Sequence, residues 1–266
     1  DVGQNAQVMT DGQLKTTPGD GTYLVVGTGG SLELGVKNYY GSSSGAISAG
    51  DNYGLQNDSL MIVDGDVYMA VDALAGNEVD RYKFANDGYM VVGTDGSLKL
   101  DGKLDNTNYI QNKGSIELTG NDNTSSGQIS NQYGGEIDLY GNLAISRTTV
   151  DTSPALNNSG LVTVRTGGEL ALIASQSATT QNTNNGELII EQGGHLTLEP
   201  KSVSASGSVV LNNTHIIDNS GIITNHSGQE IINGIAGANW SIFRDETDVI
   251  SLARSERNTG YFESLT

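Results

Sequence analysis

Carboxylate side chains are concentrated in one stretch of this sequence, between residues 64 and 80. The acidic residues there are Asp64, Asp66, Asp72, Glu78 and Asp80. Carboxylate oxygens bind calcium, and a pair of carboxylic acids can cleave a glycosidic bond. The calcium repeat GGxGxD is absent, however, and Asp64-Gly65-Asp66 on its own is a common turn sequence. We therefore interpret this stretch first as a solvated acidic loop, then as a contact for a cation or partner, and last as a catalytic centre.

Tyrosines form a second group in and around the same stretch. They are Tyr39, Tyr40, Tyr53, Tyr68, Tyr82 and Tyr89. Aromatic faces beside hydroxyl and amide groups bind sugars or other proteins, although stacked tyrosines also stabilise β-structure without any ligand. If this part of the chain binds a partner, the sequence predicts that the contact residues are Tyr39, Tyr40, Tyr53, Asp64, Asp66, Tyr68, Asp72 and Asp80.

No motif with a known catalytic mechanism accompanies these residues. The histidines His195, His215 and His226 have no recurrent spacing to an acid or a nucleophile, and we expect them to face solvent. The sequence also lacks a Gly-x-Ser-x-Gly elbow, a phosphate-binding loop and zinc-ligand spacing. It therefore predicts a protein that is not an enzyme, with no catalytic residues, no metal site and no cofactor.

The charge of the chain narrows the range of partners. Its 31 acidic and 13 basic residues give a net charge of −18, which repels phosphate backbones and anionic membrane surfaces. We therefore expect no nucleic-acid partner. No apolar run approaches the roughly 20 residues that span a bilayer, so this chain is not expected to insert into a membrane.

The acidic and aromatic side chains must be positioned by a sequence repeat that runs through the chain. Each copy consists of an Asn/Gly turn, a strand of alternating apolar residues, a Gly-rich corner that is often Gly-Gly, and a second alternating strand. Clear copies occupy residues 20–34, 87–100, 158–172 and 184–198, and weaker copies occupy residues 112–118 and 133–139. The equivalent glycines at positions 88, 114, 134, 160 and 186 lie 20 or 26 residues apart. That spacing fits three short strands and three turns, which is one coil of a parallel β-helix.

The alternation within each strand predicts which side chains fill the interior. Leu98, Leu170 and Leu196 are expected to share one stacked position, and Leu100, Leu172 and Leu198 another. Gly-Gly permits a positive φ at a sharp corner and needs no ligand to explain it. Asparagines before the turns suit left-handed conformations and are candidates for stacked ladders: Asn86, Asn112, Asn131, Asn158, Asn185 and Asn219.

The sequence thus predicts an all-β protein, a parallel β-helix of about 10–12 coils. We assign residues 1–239 to the solenoid, with an irregular excursion at residues 39–84, where the repeat is interrupted. Residues 240–266 lack Gly-Gly corners and are predicted to form a terminal coil or a cap that protects the open end of the stack.

The repeats resemble the passenger domains of Gram-negative type V autotransporters. The resemblance rests on the unit N-x-G-x-Φ-x-Φ-x-x-G-G-x-Φ-x-Φ (Φ, apolar), most clearly at residues 158–172 and 184–198, in an acidic chain without Cys that is rich in Gly, Asn, Ser and Thr. It covers roughly residues 3–237. The resemblance implies a right-handed β-helix that is secreted and displayed on the bacterial surface, anchored in the outer membrane through a barrel outside this sequence. This chain would then be a fragment of the passenger.

The resemblance also implies a role in virulence-related adhesion, cell aggregation or biofilm formation. The expected partners are a host surface protein, matrix or glycan, or a second copy of the chain on a neighbouring cell, bound along the side of the rod. Two alternatives stay open. One is a polysaccharide lyase or hydrolase that uses the acidic stretch with Arg81 and Lys83, and the other is an inert stalk.

Overall fold

The computed structural model describes residues 7–10, 14–16, 23–34, 55–69, 83–119, 127–146, 154–175, 179–199, 206–226, 230–233, 242–245 and 261–264. These residues form 28 strands and no helix. Every pair of neighbouring strands is parallel, and the consecutive strands from β1 to β27 enter three different sheets in turn. Three strands therefore complete one coil, and the predicted all-β parallel β-helix is confirmed.

The three sheets run along the whole stack. Sheet 1 contains β1 (Gln7–Thr10), β4 (Ser31–Leu34), β7 (Asp66–Met69), β10 (Ser97–Asp101), β13 (Ser115–Thr119), β16 (Asn142–Ser146), β19 (Glu169–Ile173), β22 (His195–Glu199) and β25 (Ile222–Asn225). Sheet 2 contains β2 (Leu14–Thr16), β5 (Leu55–Asn57), β8 (Lys83–Asn86), β11 (Lys103–Asn106), β14 (Gln128–Asn131), β17 (Leu156–Asn158), β20 (Thr179–Asn184), β23 (Ser208–Asn213) and β26 (Glu230–Asn233). Sheet 3 contains β3 (Tyr23–Val26), β6 (Leu60–Val63), β9 (Tyr89–Val92), β12 (Tyr109–Asn112), β15 (Glu136–Leu139), β18 (Leu161–Val164), β21 (Glu187–Ile190), β24 (Ile216–Asn219), β27 (Ile242–Asp245) and β28 (Tyr261–Ser264).

The described strands form nine coils, and β28 adds a tenth strand to sheet 3. The sequence predicts about 10–12 coils for the whole chain, and the described residues account for nine of them. The right-handed sense of the coil stays a prediction. In the tail, β27 and β28 continue sheet 3 by parallel pairing, so this segment adds strands to one side of the stack.

The interior consists of apolar side chains stacked in register from coil to coil. In sheet 1 the predicted position of Leu98, Leu170 and Leu196 is confirmed, and it forms a buried row of Leu32, Val67, Leu98, Ile116, Leu143, Leu170, Leu196 and Ile223. Leu100, Leu172 and Leu198 likewise share the second row of that sheet. Because successive side chains on a strand point to opposite faces, each four-residue strand gives two residues to the core and two to the surface.

An uninterrupted row of asparagines lies on the inner face of sheet 2. Its members are paired in register and buried: Asn57, Asn86, Asn106, Asn131, Asn158, Asn184, Asn213 and Asn233, preceded by Thr16. Each side-chain Nδ2 donates to Oδ1 of the next asparagine at 2.7–2.8 Å, and the Thr16 hydroxyl donates to Asn57 at 2.9 Å. We call this row the asparagine ladder.

The ladder corrects part of the sequence interpretation. Asn86, Asn131 and Asn158 belong to it as predicted. Asn184 belongs to it where Asn185 was expected, and Asn185 is exposed in the following turn. Asn112 and Asn219 end strands of sheet 3 instead, where their side chains accept from the backbone N–H of Gly114 and Gly221.

The three corners of the coil differ in length. Sheet 2 leads to sheet 3 through two-residue turns in most coils, and sheet 3 leads to sheet 1 through two or four residues. Three of the four corners of four residues hold a glycine at φ of 73–82°, Gly29, Gly167 and Gly193, a conformation that favours glycine. The weaker copy at residues 133–139 has its glycines at the corner between sheet 2 and sheet 3, where Gly134 adopts a φ of 84° between β14 and β15.

Most of the length variation falls at the corner between sheet 1 and sheet 2. Gly102 alone lies between β10 and β11 there, whereas 20 positions, residues 35–54, lie between β4 and β5, outside the described residues. Within the predicted excursion at residues 39–84, β5, β6 and β7 form a regular coil, and the segments that flank this coil lie outside the described residues.

Candidate binding surface

The structure places three of the predicted contact residues on or beside β7. Asp66 and Tyr68 lie on the outer face of sheet 1, Asp66 exposed and Tyr68 half-buried, while Asp64 lies in the turn that leads into the strand. Asp66 is flanked in register by Ser31 and Ser97, and Tyr68 by Glu33 and Lys99.

The other predicted contact residues cannot be placed beside them. Tyr39, Tyr40, Tyr53, Asp72 and Asp80 lie outside the described residues, as do Glu78, Arg81 and Tyr82. Across the part of the chain that is described, no group of three or more His, Asp or Glu side chains is arranged to hold a metal ion. His195, His215 and His226 are exposed, as expected.

The more prominent surface lies on the outer face of sheet 3, in its first four strands. The outward positions form two rows, Tyr23, Leu60, Tyr89 and Tyr109 in one and Val25, Ile62, Val91 and Gln111 in the other. We call these eight residues the aromatic face. Tyr23 and Tyr89 are 58% and 57% exposed, and none of the eight residues is charged in a chain of net charge −18. An exposed apolar strip of this kind is typical of a binding surface.

The tyrosines at one end of the aromatic face are held in place by further contacts. The rings of Tyr89 and Tyr109 pack with their centroids 5.9 Å apart and their planes tilted by 52°. Tyr109 Oη donates to Asp138 Oδ2 at 2.9 Å and accepts from Gln111 Nε2 at 3.3 Å. Burial, then the hydrogen bond to Asp138 and its negative charge, raise the pKa of Tyr109 to about 12, so its hydroxyl stays protonated.

A charged cluster of Asp138, Arg165 and Glu191 follows the aromatic face along sheet 3. Arg165 contacts Asp138 Oδ1 through Nε at 2.9 Å and Nη2 at 2.7 Å, and it contacts Glu191 Oε1 through Nη1 at 2.6 Å. Its guanidinium carbon also lies 6.0 Å from the ring centre of Tyr140. Burial alone would lower the pKa of Arg165, but the hydrogen bonds and charges of the two carboxylates outweigh burial and raise it.

The charged cluster has a structural role in this arrangement. Asp138 is almost fully buried, and both of its oxygens are engaged, one by Arg165 and the other by Tyr109. The contacts join strands β12 and β15 to the corners after β18 and β21. These contacts link adjacent coils, and the cluster forms the boundary of the aromatic face.

The sequence contains a signal for the aromatic face in the position of tyrosine within the repeat, which is separate from the clustering of tyrosines along the chain. In the copies at residues 20–34 and 87–100, Tyr23 and Tyr89 occupy the same position, directly after the Asp-Gly turn region and first in their strands. Tyr109 opens the strand after β9 in sheet 3 in the same way. Only Tyr89 was singled out from the sequence, because grouping by distance along the chain hides residues that stack one or two coils apart.

Comparison with protein-family models, with curated proteins and with solved structures finds no match to this chain. Within the described ranges, no helix has the length and apolar character needed to cross a membrane.

Proposed function

We propose that this chain is part of a surface-displayed adhesin, a passenger β-helix of the autotransporter class, and that it binds its partner through the side of the rod. The observation that carries the proposal is the aromatic face, an uncharged strip of tyrosine, valine, leucine and isoleucine side chains on an otherwise acidic protein. The parallel β-helix, the absence of Cys and the repeat unit support the class assignment.

A β-helix suits such a role because it presents equivalent side chains at a fixed spacing. Neighbouring strands lie about 4.8 Å apart, so contacts made by one coil are repeated by the next without rearrangement of the backbone. Individually weak contacts then sum along the rod. The net charge of −18 opposes contact between acidic surfaces and directs binding to the uncharged face.

Display of the chain on bacterial cells that do not aggregate tests this proposal. We expect these cells to settle faster than cells that display no passenger, or to adhere to immobilised host matrix proteins or glycans. Cells that neither settle nor adhere would contradict the proposal and favour the inert stalk. Incubation of the chain with acidic polysaccharides tests the lyase or hydrolase alternative, and we expect the length of the polysaccharide to stay unchanged.

A further inference from the structure

We infer that the aromatic face binds a neutral, β-1,4-linked polysaccharide that runs along the axis of the rod, with its sugar rings stacked on Tyr23 and Tyr89. This inference rests on the proposed function and names the class of ligand. Three properties of the described residues lead to it: the spacing of the tyrosines, the size of the face and its lack of charge.

The spacing of the two exposed tyrosines matches the repeat of an extended glycan. Tyr23 and Tyr89 occupy the same register position in β3 and β9, with Leu60 of β6 between them. Two strand spacings separate them, which is about 9.6 Å. In an extended β-1,4-linked chain, alternate sugars present the same face, and this disaccharide repeat is of similar length. Two sugars of one orientation can therefore stack on the two rings, with the intervening sugar over Leu60.

The size of the face favours a linear ligand over a second copy of the chain. Four strands of four residues make a strip of roughly 19 Å by 13 Å, or about 250 Å². A stable protein–protein interface covers about 800 Å² on each partner. Beyond the strip, the outer face of sheet 3 carries the carboxylates of Glu136 in β15 and Glu187 in β21. Two copies aligned along sheet 3 would therefore bring like charges together, whereas a single polysaccharide chain needs only the strip.

The absence of charge on the face favours a neutral polysaccharide. The eight residues carry no cation that could pair with an acidic sugar, and the chain as a whole repels polyanions. Sugar rings present C–H groups on their faces, and these groups pack against aromatic rings. The packing of Tyr109 on Tyr89 and the hydrogen bonds of Tyr109 fix part of the platform before any ligand arrives, which lowers the entropic cost of binding.

Calorimetric titration of the purified chain with neutral β-1,4-linked hexasaccharides of glucose and of N-acetylglucosamine tests the inference. We expect at least one of them to bind, and Tyr23→Ala or Tyr89→Ala to weaken that binding tenfold or more. Tyr23→Phe and Tyr89→Phe keep the ring and should retain most of the affinity. Tyr133→Ala is the control for loss of an exposed tyrosine, because Tyr133 is 92% exposed in the turn between β14 and β15 and is not one of the eight residues of the strip.

Two results would overturn the inference: neither hexasaccharide binds, or binding is unchanged in both alanine variants. Sedimentation analysis tests the competing occupant, since a dimer that Tyr23→Ala and Tyr89→Ala dissociate would assign the face to a second copy. The experiments distinguish failure of the adhesin role from failure of the polysaccharide ligand. Adherent cells without hexasaccharide binding leave adhesion standing and remove this ligand class, whereas hexasaccharide binding without adhesion leaves the ligand class and removes the adhesin role.

Discussion

Replacement of one member of the asparagine ladder should destabilise the protein far more than replacement of its neighbour on the same strand. Asn158 is 1% exposed and uses all the hydrogen-bonding capacity of its amide. Its Oδ1 accepts from Asn131 Nδ2 at 2.8 Å and from the Gly160 N–H at 3.2 Å. Its Nδ2 donates to Asn184 Oδ1 at 2.7 Å and to the Glu187 carbonyl at 3.0 Å.

The expected loss follows from the groups that Asn158→Ala leaves without a partner. The Oδ1 of Asn184 and the N–H of Gly160 lose the partner that Asn158 supplies, and each such group costs about 1–3 kcal/mol, whereas Asn131 Nδ2 still donates to the carbonyls of Gly135 and Leu161. We therefore expect the free energy of unfolding to fall by about 2–6 kcal/mol. Asn157 precedes Asn158 on β17, but its side chain lies half-exposed on the outer face. Asn157→Ala should change the free energy of unfolding by no more than about 0.5 kcal/mol.

Chemical denaturation followed by far-ultraviolet circular dichroism measures both effects. Asn158→Asp separates hydrogen bonding from volume, because it preserves the shape of the side chain but turns an acceptor toward Asn184 Oδ1 and the Glu187 carbonyl. We expect this variant also to be strongly destabilised at neutral pH. If Asn158→Ala were no more destabilising than Asn157→Ala, or if Asn158→Asp were neutral, the ladder would not stabilise the coil in the way argued above.

Two further predictions concern Tyr109 and the corners. The folded state raises the pKa of Tyr109 from 10.0 to about 12, so the protonated hydroxyl contributes to stability below pH 10 and this contribution is lost as the pH rises toward 12. Urea midpoints measured across this pH range should therefore fall less steeply in Tyr109→Phe than in the wild type. At the corners, Gly160→Ala would place a Cβ against the backbone carbonyl of Gly135. The space beside Gly134 is open, so Gly134→Ala should lower the free energy of unfolding only through the strain of a positive φ, by about 1–2 kcal/mol. Thermal melts should rank Gly160→Ala below Gly134→Ala, and the reverse order would contradict this account of coil spacing.

The repeat made the fold predictable because equivalent residues of each coil occupy equivalent buried positions. Leu98, Leu170 and Leu196 lie at the same place in their phrases, and parallel pairing without slippage stacks them. The ladder was harder to predict. In the pair Asn184-Asn185 the two residues are chemically identical, and only the register of sheet 2 determines which of them points inward.

The candidate site was less predictable because its residues come from different coils. Tyr23 and Tyr89 lie two strands apart in sheet 3 but 66 positions apart in the chain, so their distance in sequence conceals their alignment. The pairing of Asp138 with Arg165 has the same origin, since the two residues lie 27 positions apart and meet between β15 and the corner that follows the adjacent strand β18.

The asparagine ladder also gives the rod a polarity. Each amide from Asn57 to Asn213 donates toward the C-terminal end of the stack, so these side-chain dipoles point the same way and add. Parallel sheets contribute little net dipole of their own along this direction. The two ends of the stack are therefore electrically distinct. Engineered rods made from these coils should join only head to tail, because an inverted junction would set two donors or two acceptors against each other.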